Sequence, residues 1–351
     1  MSRNVSILAT RKACCLVTTM ALTLVFSFAV TANSSLAAAP DEAATKAVNA
    51  GFEALLSKLP GDTAFAFTEI VDDKPVLLYG VRPEKRLAVG STFKLYIFGT
   101  LVDEVNHGRR RVDDTMLLQA NLEGPPTSEV ASWPIGSPAT LYTLTLKMIS
   151  ISDNTATDHM LYLLGRKRVE EQMGIMGHGA PQFNTPLFGT REMTMLRDKK
   201  TGMLGNEYKK LDDAGRRAML AKLDVKKPDF ENLDFDAATY DVAEWYASPL
   251  DIANALSWIR KNTEEDLRAH GMRAILSVET KFPHDPKVWP FVGFKGGSED
   301  QLLAGNWLLK NKNGHWYTLS LYCNSPKEKI DTAMFVEALA TIVKEIETTL
   351  P

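Results

Sequence analysis

Ser91 and Lys94 stand three residues apart in the stretch VGSTFKLYIF, where small residues give way to an apolar run. Residues three and four apart share a helix face, so a helix here aligns Lys94 with Ser91, Phe98 and Leu101 on one largely apolar stripe. Burial on that stripe disfavours the charged amine and lowers its pKa. A neutral amine within reach of a serine hydroxyl is a general base for a serine nucleophile.

The same pair has a plainer explanation. A serine three residues before a lysine occurs by chance in a chain of ordinary composition. Ser91 could simply begin the helix, and the long side chain of Lys94 could extend to solvent. The pair alone therefore does not establish catalysis.

Two further motifs lie downstream. They are Ser152-Asp153-Asn154, between two apolar-periodic segments, and Lys295-Gly296-Gly297-Ser298, after a β-rich run. Each alone has a structural explanation, a helix N-cap for the first and a glycine turn with a surface lysine for the second. In order, spacing and context, the three motifs together resemble the Ser-x-x-Lys, Ser-Asp-Asn and Lys-Thr-Gly signature of the penicillin-recognising serine hydrolases, and class A β-lactamases most closely. The resemblance extends from about residue 45 to 350.

The resemblance implies a role for each side chain of the set. Ser91 would be the acylated nucleophile and Lys94 its general base. Ser152 would relay a proton to the leaving nitrogen, and Asn154 would bind the amide side chain of the substrate. Lys295 would face Ser152, attract a substrate carboxylate and disfavour the charged form of Lys94.

The strand that carries the third motif would bind the substrate. The resemblance implies that the backbone N–H groups of Ser91 and Ser298 form an oxyanion hole and that Gly297 belongs to the binding strand. The Ser298 hydroxyl would touch the substrate carboxylate. Gly296 departs from the family, which has a threonine there, and so removes a hydroxyl whose hydrogen bond to a charged group is worth about 1.5–3 kcal/mol.

A second departure concerns deacylation. Class A enzymes have a Glu-x-x-Leu-Asn segment whose glutamate activates the hydrolytic water, and this chain has none. Glu192 and Glu244 are candidates by position only. We expect Glu192 to be the N-terminal carboxylate of a helix capped at Thr190, and Glu244 to be an ordinary surface group before a helix capped at Ser248.

Strand patterns occur at both ends of the chain and helix patterns between them. The terminal patterns predict a helix over 41–59, a β-hairpin over 63–81, three β-rich runs at 289–297, 302–311 and 315–324, and a final helix over 331–350. This order predicts an α+β fold whose sheet combines N- and C-terminal segments. The resemblance implies a five-stranded antiparallel sheet flanked by helices, with an inserted all-α subdomain.

The predicted domain runs from residue 41 to 351. Its α/β part covers about 41–110 and 255–351, and its helical part covers about 111–254. Within the helical part, residues 184–241 form a charge-rich insert that the family signature does not explain.

Residues 1–38 have the pattern of a signal peptide. A basic start precedes an uncharged apolar stretch that ends in the small residues SSLAAAP. A retained membrane anchor is the alternative, but the stretch is short and not uniformly apolar. We therefore expect an exported protein, periplasmic or secreted, with cleavage after Ala37 or Ala38.

Several functional classes are disfavoured by composition. Without residues 1–38 the chain has 37 basic and 43 acidic residues, which is a poor match to nucleic acid. We expect no cofactor, no nucleotide, since no phosphate loop is present, and no disulfide, since Cys323 is then the only cysteine. We also expect no metal and a monomeric state. The histidines lack paired ligand spacing and are His107, His159, His178, His270, His284 and His315.

The sequence thus predicts an exported serine hydrolase that opens a β-lactam ring through an acyl-Ser91 intermediate. One alternative on the same scaffold is an esterase or a D-alanyl peptidase-like acyl hydrolase. A second is a protein that binds β-lactams or cell-wall peptide without turnover.

Overall fold

The computed structural model describes residues 42–125, 128–201, 204–224, 230–232, 234 and 243–350. All of them belong to one compact unit, Pro40–Pro351. The predicted signal peptide lies outside the described residues. Among the helices within these ranges, none has the length and apolar character needed to cross a membrane.

The described chain contains nine strands. They are β1 (Asp62–Val71), β2 (Lys74–Val81), β3 (Leu87–Ala88), β4 (Thr115–Leu117), β5 (Pro138–Thr140), β6 (Tyr246–Ala247), β7 (Phe291–Glu299), β8 (Leu302–Lys310) and β9 (Trp316–Asn324).

Ten α-helices occupy the same described ranges. They are α1 (Glu42–Leu56), α2 (Lys94–Asn106), α3 (Leu141–Ser150), α4 (Asn154–Leu164), α5 (Arg166–Ile175), α6 (Thr190–Arg197), α7 (Leu204–Lys210), α8 (Asp213–Asp224), α9 (Pro249–Lys261) and α10 (Thr332–Thr349).

The main sheet is antiparallel and has the strand order β2-β1-β9-β8-β7. The predicted α+β fold class is confirmed, including the sheet built from both ends of the chain. Two tight turns set its hairpins: Asp72 and Asp73 adopt positive φ between β1 and β2, and Gly314 has φ +90° between β8 and β9. Strand β7 lies at one edge of the sheet, so its outer side is available to line a cleft.

Both faces of the sheet are covered by helices. On one face, Phe65 and Phe67 of β1 pack in a core with residues of α1 and α10. On the other face, Ala64 packs in a core that includes much of α2 and α9. Because successive side chains of a strand point to opposite faces, β1 is buried through most of its length rather than on alternate residues.

The start of α2 and four short strands differ from the sequence prediction. The helix expected to begin near Ser91 starts as a 3-10 turn over Gly90–Phe93, and α2 begins only at Lys94. The short strand pairs β3–β6 and β4–β5 were not predicted. Strands of two or three residues have no readable alternation, so only tertiary pairing defines them.

One buried asparagine joins the 3-10 turn Gly90–Phe93 to the sheet. This segment is called the nucleophile turn because it carries the candidate nucleophile Ser91. The Asn306 side chain on β8 donates to Thr92 Oγ1 (3.0 Å) and to the carbonyl oxygen of Lys295 (3.1 Å). Its Oδ1 accepts from the hydroxyls of Ser320 and Tyr322, each at 2.8 Å. Every polar atom of the side chain is therefore used, and the turn is held against β7.

Replacing Asn306 tests that network. We expect Asn306→Ala to lower the free energy of unfolding by about 2–4 kcal/mol, because several buried polar groups lose their partner at once. Ser320→Ala removes one of these hydrogen bonds and should cost about 1 kcal/mol. Urea unfolding of both variants measures the difference, and equal losses in the two would contradict the assigned network.

Candidate active site

Ser91 lies at the mouth of a cleft of about 520 Å³ that runs along β7. The turn that presents it begins at Gly90, whose φ of +50° favours glycine. The Ser91 side chain is half-buried, and its hydroxyl has no hydrogen-bond partner among the described residues. The nucleophile candidate is therefore open to the cleft.

Lys94 is fully buried one turn after Ser91. Its Nζ donates to the carbonyl oxygen of Ser152 (2.6 Å), to Asn154 Oδ1 (2.7 Å) and to Ser152 Oγ (3.2 Å). Burial lowers the pKa of Lys94 to about 7, against the attraction of the Asp158 and Asp153 carboxylates. A substantial fraction of this amine is therefore neutral near pH 7, as a general base requires.

Ser152 is held between α3 and α4 in a left-handed conformation, φ +61°. The next residue fixes the bend, because the Asp153 carboxylate accepts from the backbone N–H of Ala156 (2.8 Å) and of Val130 (2.9 Å). Asp153 is thus the N-cap of α4. The N-cap explanation of this motif holds for Asp153, while Ser152 and Asn154 turn toward Lys94.

Lys295 approaches the same hydroxyl from the sheet. Its Nζ donates to Ser152 Oγ (3.0 Å) and to the carbonyl oxygen of Gly296 (2.6 Å). Burial lowers the pKa of Lys295 well below its usual value, and the charges of Lys94 and Lys281 add to the shift. Two buried amines therefore share one hydroxyl, and their mutual repulsion disfavours a state in which both are charged.

The backbone N–H groups of Ser91 and Ser298 lie on two segments in very close contact. A Cβ built on Gly297 would lie 2.0 Å from the carbonyl oxygen of Val89 and 2.7 Å from the nitrogen of Ser91. A Cβ on Gly90 would lie 3.5 Å from the nitrogen of Ser298. At Gly297 only glycine permits this approach, so the segments that carry these two N–H groups lie against each other.

Lys281 lines the same cleft and was missed by the sequence reasoning. Its exposed side chain adds a positive charge beside Lys295. The residue lies in an irregular segment with φ +42°, where no periodic pattern marks a position as facing a site. Together with Lys295 it makes this end of the cleft suitable for an anionic group.

The family follows from comparison with known proteins. The model of the β-lactamase enzyme family matches residues 47–266, more than half of the chain. The chain belongs to the β-lactamase enzyme family. The matched range contains the first two motifs, whereas the Lys295 motif lies beyond it.

Solved structures support the same fold. A β-lactamase from Sphaerobacter thermophilus is 16% identical, with a TM-score of 0.60, over 87% of this chain and 98% of that chain. A β-lactamase from Francisella tularensis is 14% identical, with a TM-score of 0.61, over 86% and 100%. A variant of PBP-A, described as an acyl-enzyme complex with penicillin G, is 16% identical, with a TM-score of 0.59, over 86% and 96%. No curated protein matches the chain.

Gly296, where this family member departs from Lys-Thr-Gly, has its side-chain space already filled. A Cβ at this position would lie 2.7 Å from Cζ of Phe294 and 2.8 Å from the carbonyl oxygen of Ala304. The Phe294 ring in turn packs against Trp307, with ring centroids 5.2 Å apart. The Phe294 ring therefore occupies the space that the Cβ of a threonine at position 296 would need. The ring in this position and a threonine at 296 exclude each other.

Glu192 is an N-terminal carboxylate of α6, as expected, but the predicted cap at Thr190 is wrong, because Gly189 is the N-cap and Thr190 the first residue of the helix. Its Oε2 accepts from the backbone N–H of Gly189 (2.6 Å), and its carboxylate receives both terminal nitrogens of Arg166, at 2.7 and 3.0 Å. It is not among the residues that line the Ser91 cleft.

The prediction that Glu244 is a surface group is wrong. Its side chain is fully buried, 3.6 Å from Nη1 of Arg197. The reason is tertiary: Glu244 lies two residues before β6, whose pairing with β3 brings this segment into the interior of the protein. Glu244 also does not line the cleft.

No group of His, Cys, Asp or Glu side chains suited to hold a metal ion occurs in the described part of the chain. Cys323 is a buried free thiol. The polar groups of the cleft that bear on chemistry are therefore the serines, lysines and asparagine described above and two backbone N–H groups.

Restoring the family threonine tests the exclusion at Gly296. We expect Gly296→Thr to lower the free energy of unfolding by about 1–3 kcal/mol through overpacking against Phe294. In a Phe294→Leu background the same substitution should cost less, because the ring edge is gone. Urea unfolding of the wild type, the two single variants and the double variant gives the coupling free energy between positions 294 and 296. An identical cost of Gly296→Thr in both backgrounds would disprove the exclusion.

The low pKa of Lys94 predicts a pH dependence of stability. Because the pKa is near 7 in the folded protein and 10.5 in the unfolded chain, the folded protein binds fewer protons between these values. Stability from this residue therefore rises with pH through that window. Relative to Lys94→Met, the wild type should gain stability between pH 7 and 9.5 in urea unfolding, whereas parallel pH dependences would refute a neutral buried amine.

Proposed function

We propose that this protein is an exported serine hydrolase of the class A type, which opens a β-lactam ring through an acyl-Ser91 intermediate. The observation that supports this most is the convergence of Lys94 and Lys295 on the Ser152 hydroxyl, in the cleft that also exposes Ser91. Membership of the β-lactamase family makes a β-lactam the first substrate class to test. Export, periplasmic or extracellular location and a monomeric state are part of the proposal.

Acylation would proceed without a metal or cofactor. Ser91 Oγ attacks the lactam carbonyl carbon and passes its proton to neutral Lys94. The carbonyl oxygen becomes negative and is stabilised by the backbone N–H groups of Ser91 and Ser298. The C–N bond then breaks, and the nitrogen takes a proton through the Ser152 hydroxyl, which Lys94 reprotonates. The product of this step is an ester at Ser91.

Recognition would use the charged end of the cleft. Lys295 and Lys281 supply the positive potential for a substrate carboxylate, with the Ser298 hydroxyl beside them. These groups would bind the substrate carboxylate in place of the threonine hydroxyl that is missing at Gly296. Asn154 now binds Lys94 and is also placed at the cleft, so it can contact an acyl-amide side chain.

Intact-mass spectrometry tests the acylation step. The full chain exposed to penicillin G should gain one adduct, located at Ser91, and Ser91→Ala should gain none. Ser150→Ala is the matched control, because Ser150 lines the same cleft but donates to the carbonyl oxygen of Leu146. Absence of an adduct in the wild type, or its persistence in Ser91→Ala, would refute the mechanism.

A second function is favoured by one observation: among the described residues, the cleft is lined by no carboxylate. Deacylation by a glutamate-activated water is the class A route, and both candidate glutamates are engaged elsewhere. A slowly released acyl-enzyme would make the protein a binder of β-lactams or cell-wall peptide. The same cleft could also serve an esterase or D-alanyl peptidase-like hydrolase whose substrate brings a better leaving group.

The lifetime of the adduct and the substrate range separate these functions. A transient adduct with steady hydrolysis of a chromogenic cephalosporin supports a β-lactamase. A lasting adduct supports a binder. Turnover of simple esters or D-alanyl peptides without turnover of the cephalosporin would reject the lactamase assignment.

A further inference from the structure

One buried guanidinium lies between the buried carboxylate of Glu244 and the partly exposed carboxylate of Glu299. Arg197, at the end of α6 in the insert, has a fully buried side chain. Its Nη1 and Nη2 donate to the two carboxylate oxygens of Glu299, at 3.0 and 2.8 Å. Its Nη1 also lies 3.6 Å from Oε2 of Glu244. The planar, two-pronged geometry with Glu299 is one that arginine alone provides.

Glu299 adjoins one of the two proposed oxyanion donors, and Glu244 adjoins a residue that supports the turn of the other donor. Glu299 directly follows Ser298 at the end of β7. Glu244 directly precedes Trp245, whose carbonyl oxygen accepts from the N–H of Val89 (2.9 Å), two residues before the nucleophile. The Trp245 ring also stacks on Phe93 of the nucleophile turn, with centroids 3.9 Å apart. Arg197 therefore links β7, which carries the Ser298 N–H, to the Glu244–Trp245 segment, which supports the turn that carries the Ser91 N–H.

We propose that Arg197 is a positioning residue that holds the two halves of the oxyanion hole at the spacing the reaction needs. This inference rests on the proposed function, since it assigns the Ser91 and Ser298 N–H groups as the donors. It also gives the insert a role: α6 connects the helical part of the protein to the reacting end of β7.

The charges of the cluster favour this arrangement over a purely apolar contact. Two ionised carboxylates buried side by side would repel each other and drive their strands apart. Burial, together with the charge of Glu299, raises the pKa of Glu244 well above its usual value. The charge of Arg197 acts against both effects and lowers the pKa of Glu244, so Arg197 is the group that offsets the repulsion between the two carboxylates.

A matched arginine on the same insert provides the control. Arg217 of α8 makes a two-pronged pair with Glu170 of α5, with nitrogen–oxygen distances of 2.8 and 3.1 Å. This pair also joins the insert to the rest of the protein. It does not touch β7 or the nucleophile turn, so Arg217→Met removes a comparable ion pair without altering the oxyanion segments.

The experiment compares the full-length wild type with Arg197→Met, Arg197→Lys and Arg217→Met. Amide hydrogen exchange is followed in peptides that cover 87–93 and 295–300, together with unfolding in urea. We expect Arg197→Met to increase exchange in both segments at once, Arg197→Lys to do so less, and Arg217→Met to leave both unchanged. Unchanged exchange in Arg197→Met, or an equal increase in Arg217→Met, would overturn the assignment.

Kinetics then separate positioning from simple stabilisation. With the substrate that acylates Ser91, Arg197→Met should lower kcat by about 10–100-fold while KM changes by less than about 3-fold, because loss of a single oxyanion donor costs about 10²–10³ in kcat and here the donors are only displaced. Arg217→Met should stay within about 2-fold. A kcat for folded Arg197→Met within 2-fold of the wild type would contradict positioning.

A double variant separates an effect on the spacing of the two segments from a loss of stability in Arg197→Met. Arg197→Met with Glu299→Gln removes the buried unpaired charge and should recover most of the lost stability while kcat stays low. Recovery of kcat together with stability would show that charge burial, not spacing, was responsible, and would overturn the proposal. If the wild type forms no adduct at Ser91, the proposed function fails, and hydrogen exchange still decides whether Arg197 holds the two segments together.

Discussion

The burial of two amines against one serine hydroxyl is the constraint on which the rest of this structure depends. Lys94 and Lys295 are both inaccessible to water, and both donate to Ser152 Oγ. Such an arrangement is costly for charged lysines, so it persists only where hydrogen bonds compensate and where at least one amine can lose its proton. The bent conformation of Ser152 and the cap of α4 at Asp153 provide that compensation.

The second constraint is the close approach of backbone to backbone at the edge of the sheet. Gly297 allows the nucleophile turn to touch β7 at distances that no side chain would permit, and Gly90 provides the positive φ of that turn. Asn306 secures the same contact from the neighbouring strand through hydrogen bonds to Thr92 and Lys295. Lys295 therefore lies on the edge strand, Lys94 and Asn154 at helix starts and Ser91 in the 3-10 turn, while Ser152 occupies the bend between α3 and α4.

The departures from the family pattern are connected to packing. The threonine missing at Gly296 is replaced in space by the ring of Phe294, and positive charge beside the cleft is supplied by Lys281. The deacylating glutamate has no counterpart in the cleft lining, and Glu192 and Glu244 serve instead as a helix cap and a member of a buried charge cluster. The site thus contains groups suited to the proposed acylation step, but the described part of its cleft lining has no carboxylate for release of the acyl group.

The sequence by itself determined the long strands of the main sheet and the terminal helices, because helix periodicity, strand alternation and turn residues such as Asn313-Gly314 are local signals that survive without neighbours. It also selected Ser91, Lys94, Ser152 and Lys295, since their order matched a known signature. Only the tertiary structure decided that Glu244 is buried, that Lys281 faces the cleft and that β3 pairs with β6. These features depend on contacts between residues far apart in the chain, and the energy of burying or pairing a side chain is fixed by the partner it meets, which no local pattern specifies.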